Sequence, residues 1–103
     1  MTLRNALAAC LVLLCLSSQA QTVAESMTLF DDGKTQEAVA QLNRLGQSGN
    51  AEAQNMLGVL YDNGQGVTQD YKKALACYQC GADLGDPQAQ YGLGVMYANG
   101  HGL

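Results

Sequence analysis

The sequence has no tryptophan, and only one phenylalanine, one proline and one histidine. A lone histidine cannot build a histidine-rich metal site, so most metal-dependent constellations are excluded. Charge is also scarce: 14% of residues carry it, five basic against nine acidic, for a formal charge of −4. No basic run occurs, which argues against nucleic acid as a partner. One proline beside 12 glycines fits neither a collagen-like chain nor a proline-rich disordered tail. Hydrophobic residues make up 48% of the chain, too much for full disorder. A length of 103 residues allows one small domain at most.

The only long apolar run stands at the start. Arg4 gives a short, positively charged beginning, and residues 6–16 form an uncharged run. Small residues Ser18 and Ala20 precede Gln21, the small-x-small pattern of a secretory cleavage site. The run covers about half of the roughly 20 residues needed to cross a bilayer. Leu7-Ala8-Ala9-Cys10 resembles a lipoprotein cleavage box, but processing there would strand the apolar residues 11–16 beyond the cut. Residues 1–20 therefore read as a signal peptide cut after Ala20, and the chain as periplasmic or secreted, with no stable membrane span after cleavage. Cys10 and Cys15 leave with the leader. Cys77 and Cys80 remain, in an oxidising space.

The rest repeats itself. Residues 51–67 recur as residues 87–103 at an offset of 36, with nine identities in 17 positions. Chance gives about one match in such a window at average residue usage. The identities include Ala53 and Ala89, Leu57 and Leu93, Gly58 and Gly94, Tyr61 and Tyr97, Gly64 and Gly100, and Gly66 and Gly102. A period of this size is typical of helix-pair solenoids.

Hydrophobic spacing agrees. Ala53, Met56, Leu57, Leu60 and Tyr61 make one helical face, with Asn50 placed to cap it and Gly64 and Gly66 to end it. Tyr71, Ala74, Leu75, Tyr78 and Ala82 form a second stripe, with Thr68 as cap and Asp70 in the first turn; Gly85 stops it. Asp86-Pro87 restarts the chain as a cap followed by proline at the first helical position. Upstream, Val23, Met27 and Phe30 show helical spacing, and Leu42 and Gly49 stand 36 residues before Tyr78 and Gly85. Five helices are expected, at 22–32, 35–47, 51–63, 68–84 and 87–99.

The run Ala53-x3-Leu57-Gly58-x2-Tyr61-x2-Gly64-x-Gly66, continued by Asp70, Lys73-Ala74, Tyr78, Ala82 and Gly85, resembles the Sel1-like repeat, a relative of the tetratricopeptide repeat with a longer, glycine-containing turn. The resemblance divides the chain into a degenerate tetratricopeptide-like helix pair at 21–52, a full repeat at 53–88 and an incomplete one at 89–103. It implies an all-α fold, an α/α solenoid of about two and a half helix-turn-helix repeats, and an adaptor that holds a protein or peptide partner on a concave face. The family often has an aromatic where Cys77 stands and alanine where Gly81 stands; glycine weakens a helix by about 1 kcal/mol relative to alanine. The pattern also breaks off after Leu103, before the helix that would cover 87–99. That face is expected to be sticky and to support self-association, and the sequence is expected to be truncated.

Candidate chemistry is sparse. Cys77 and Cys80 have the C-x-x-C spacing, read as free thiols or a strained disulfide, but they fall in the second half of a helix rather than at its start, where a redox pair is activated. Cys77 is placed to pack against the next repeat, and Cys80 to face solvent. His101 reads as a solvated turn residue. Gly64-x-Gly66 and Gly100-x-Gly102 follow no strand and precede no GK[ST], so they are turn glycines rather than phosphate loops. Asp31, Asp32, Asp83 and Asp86 read as caps and solvated surface. Some cysteine-rich members of the resembled family are linked to β-lactam hydrolysis, but residues 21–103 contain no Ser-x-x-Lys. All aromatics except Tyr91 lie on apolar stripes. No cofactor is expected. The sequence thus describes a scaffold for protein–protein interaction. Thiol redox chemistry, a cell-wall or β-lactam hydrolase, and a fragment without independent function are the alternatives.

Overall fold

Four of the five described helices start where a short polar side chain takes an orphaned amide; the helix that follows Lys34 has no side-chain cap. Thr22 accepts from the Glu25 amide, Asn50 from Ala53, Asp70 from Lys73 and Asp86 from Gln88. A computed structural model describes residues 22–103, so the expected signal peptide at 1–20 lies outside the described residues. The helices are α1 (Val23–Asp31), α2 (Thr35–Gln47), α3 (Ala51–Asn63), α4 (Tyr71–Asp83) and α5 (Pro87–Asn99), with no strand among the described residues. Gly64 and Gly100 close α3 and α5 at φ of 68° and 71°, a left-handed conformation that suits glycine.

One expected boundary is corrected. The fourth helix starts at Tyr71, not Thr68. Asp70, a stronger cap than threonine, is the capping residue. The Asp70 amide also donates 3.0 Å to the Tyr61 carbonyl, and Gln69 Nε2 donates 2.7 Å to the Asp62 carbonyl. These two bonds tie the turn to the end of α3 and keep Thr68 out of the helix.

The helices form two layers. α1, α3 and α5 lie side by side in one, with α3 touching both neighbours. α2 and α4 make up the other and do not touch each other; each packs between consecutive members of the first layer. Two apolar clusters follow. Val23, Leu42, Ala53, Leu57 and Leu60 fill the first, Ala74, Tyr78, Ala89 and Met96 the second. Between α1 and α2 the sequence stripe missed a buried polar pair: Ser26 Oγ donates 2.6 Å to Gln41 Oε1, which satisfies a hydroxyl fully removed from solvent.

The long turns are packed, not loose. A Cβ at Gly66 would collide with Thr35 and crowd the Phe30 ring, and one at Gly102 would lie 2.9 Å from the Tyr71 carbonyl. Thr35 and Tyr71 open α2 and α4 and are themselves 36 residues apart. Each turn thus rests on the start of the second helix of the preceding pair.

Candidate functional site

On α3, Asn55, Val59 and Asp62 lie at i, i+4 and i+7, a row beside the core stripe. On α5, Gln88, Tyr91, Gly92 and Val95 form a matching row at i, i+3, i+4 and i+7. The two rows and Pro87 border a groove of about 610 Å³ with Tyr78 of α4 as its floor.

Two glycines make room for that floor. A Cβ at Gly58 or at Gly92 would lie 2.7 Å from the Tyr78 ring, so the ring occupies the space that side chains on α3 and α5 would otherwise take. Tyr78 is 5% exposed. Burial, then the nearby Asp62 charge and Cys77, push its hydroxyl up to about 12. Across the groove, Asn55 Nδ2 donates to Gln88 Oε1 at 3.4 Å, a long bond that leaves most of the Asn55 carboxamide capacity unused. Asn55 is only 6% exposed.

The repeat framework is distributed as follows. Ala53, Ala74 and Ala89 have no exposed surface, Leu57 retains 2%, and Gly58 is buried beneath Tyr78. Tyr61 is half-buried, with Lys73 Nζ 5.5 Å above its ring. Asp70 caps α4, and Gly85 follows it in a left-handed turn. Gly64, Gly66, Gly100 and Gly102 form the long turns. Leu93 is half-buried, while Gly94 and Tyr97 are exposed.

Three residues behave differently from their sequence reading. Gly81 is buried where a Cβ would lie 2.8 Å from the Ala89 Cβ and 3.2 Å from the Ala51 carbonyl. It permits close approach of α4 to α3 and α5 and is more than a weak spot in a helix. His101 is not simply solvated. It is half-buried and stacks on Tyr71, with ring centroids 4.1 Å apart and planes 9° from parallel. Cys77 packs against the first cluster, on the preceding side, rather than toward the next repeat.

Cys77 and Cys80 are free thiols, the first half-buried and the second exposed. Burial, reinforced by Cys80 and opposed by Lys73, pushes the Cys77 thiol up to about 11. A redox-active cysteine needs the opposite shift, because the thiolate is the nucleophile. Asp31, Asp32 and Asp83 are exposed and Asp86 caps α5. No group of side chains suited to a metal ion occurs among the described residues.

A family model, the Sel1 repeat, matches residues 51–86 and 87–103, just over half of the chain. The chain belongs to the Sel1 repeat family. The crystal structure of a Sel1 repeat protein from Oxalobacter formigenes is similar to it at 39% sequence identity and a TM-score of 0.70, over 80% of this chain. The match spans 34% of that protein, so this chain covers about a third of the length of the Sel1 repeat structure it resembles. No curated protein matches the sequence. The all-α repeat fold expected from the sequence is the one observed. Sel1 repeats generally serve as scaffolds for protein–protein interaction.

Proposed function

We propose that the chain is an exported Sel1 repeat scaffold that holds a protein or peptide partner on the face formed by α1, α3 and α5. One observation carries this. The first-layer helices touch one another whereas α2 and α4 do not. An array packed more closely on one side bends toward that side, so this layer is the inner, concave one, and such faces in repeat arrays bind extended partners. The groove between α3 and α5 opens on it. Export rests on the charged start, short apolar run and small-x-small site of residues 1–20. The raised Cys77 thiol gives a redox enzyme no support.

The test is site-specific photo-crosslinking in the source cell, with the crosslinker in place of Tyr91 in the groove or Gln79 on α4. A partner captured at Tyr91 and not at Gln79 supports the reading. Equal capture at both sites, or none at Tyr91, overturns it. N-terminal sequencing of the exported protein should begin at Gln21. The same reading includes self-association through the face 87–99, where Val95 and Tyr97 are 39% and 49% exposed. Sedimentation velocity should show it as a mass that rises with concentration.

A further inference from the structure

The basic side chains are confined to one layer, whereas acids occur in both: Glu37 lies on α2 and Asp83 on α4. Lys34 precedes α2, Arg44 lies on it, and Lys72 and Lys73 lie on α4; these are all the basic residues of the described chain. α1, α3 and α5 carry Glu25, Asp31, Glu52 and Asp62 and no base. Among the described residues the inner layer is therefore acidic without a base, and the outer layer is mixed and holds every cation.

Among the described residues, Asp62 is the one charged side chain that borders the groove. Gln69 Nε2 donates to the Asp62 backbone carbonyl, and the Asp62 carboxylate lies near enough to the Tyr78 floor to act on that hydroxyl. Val59, Tyr91 and Val95 supply apolar walls, and Tyr91 is 76% exposed, an open aromatic surface. Asn55 and Gln88 offer carboxamides that can both donate to and accept from a peptide backbone. The volume limits what fits. About one turn of helix, some 10–12 Å across, would fill it, so it better suits a few extended residues.

We propose that the groove between α3 and α5 binds an extended peptide segment with a basic side chain next to an apolar one. The cation pairs with the Asp62 carboxylate, the apolar side chain packs between Val59, Tyr91 and Val95, and Asn55 and Gln88 bond the peptide backbone. The acidic inner layer attracts such a segment and repels an acidic one. This rests on the scaffold reading above and names the chemistry of its partner.

The test is a titration of the purified protein, followed by amide NMR, with three capped hexapeptides that alternate valine with lysine, glutamine or glutamate. The lysine peptide should shift the amides of Asn55, Asp62, Tyr91 and Gly92, and the glutamate peptide should shift none. Asp62→Asn should weaken lysine-peptide binding about fivefold, as expected for one partly exposed charge pair. Glu37→Gln on α2 should not, and circular dichroism of both variants confirms the fold. Three results would overturn the proposal: equal affinity for the glutamine and lysine peptides, unchanged affinity in Asp62→Asn, or lysine-peptide shifts confined to α2 and α4. Equal binding of the glutamine peptide would remove the charge preference and leave the scaffold reading intact. Failure of crosslinking at Tyr91 would remove the scaffold reading itself.

Discussion

α3 and α5 are near copies, yet they end up in different surroundings. Leu57 is 2% exposed, and its copy Leu93 is only half-buried. Gly58 lies under the Tyr78 ring; a Cβ at its copy Gly94 would meet nothing within 4 Å. Tyr61 is half-buried and Tyr97 exposed. The same side chains are core in one place and surface in the other because α2 and α4 of the second layer both pack on α3, whereas α4 alone of that layer packs on α5. A repeat therefore encodes half of an interface, and burial follows from the neighbour.

The largest effects should come from the leucines. Leu57→Ala should cost about 3 kcal/mol in denaturant unfolding, and Leu93→Ala no more than about 1 kcal/mol. Equal losses would mean that α5 is covered in solution, for example by a second copy. The glycines should differ in sign. Gly58→Ala forces a methyl against Tyr78 and should destabilise by about 1–3 kcal/mol. Gly94→Ala adds helix propensity in open space and should stabilise by up to about 1 kcal/mol. Gly81→Ala should follow Gly58→Ala. Thermal melts read all three.

The pH dependence is a smaller effect and also lies on the covered side. Cys77 is raised from 9.0 to about 11, and Tyr78 from 10.0 to about 12. Between these limits the unfolded chain has lost protons that the folded chain retains. Unfolding thus releases protons, and stability falls as pH rises. The melting temperature should be insensitive to these two groups below about pH 9, decline from there toward pH 12, and decline less steeply in Cys77→Ala. The smallest contrast is kinetic. Iodoacetamide at pH 8 should modify exposed Cys80 well before Cys77, as peptide mass mapping over time would show; equal rates would contradict the packing of Cys77.

Much of the fold was legible because helix ends are local. Asn50, Asp86-Pro87, Gly64 and Gly100 announce their roles within a few residues, and the sequence reading matched 35–47, 51–63 and 87–99. The start of α4 was not legible. Thr68 and Asp70 both qualify as caps, and hydrogen bonds from the turn back to α3 decide between them. The groove was hidden for a related reason. Asn55, Val59 and Asp62 sit off the core stripe and acquire meaning only when α5 lies alongside. One signal was available: several groove positions are those where the two copies disagree. Asn55 corresponds to Tyr91, Met56 to Gly92 and Asp62 to Ala98, while matched residues such as Leu57 and Leu93 serve the frame. Gly92 in place of methionine is the exchange that admits the Tyr78 ring.

The long turns have a mechanical consequence. Two bodies joined along a single line of contact can swing about it. Here α3 meets α1, and the turn at Gly66 separately bears on Thr35; α5 meets α3, and the turn at Gly102 bears on Tyr71. Two separated bearings per junction work as a brace. The array should therefore resist opening and closing like a hinge, and the spacing between α3 and α5 should stay fixed whether or not a ligand lies between them.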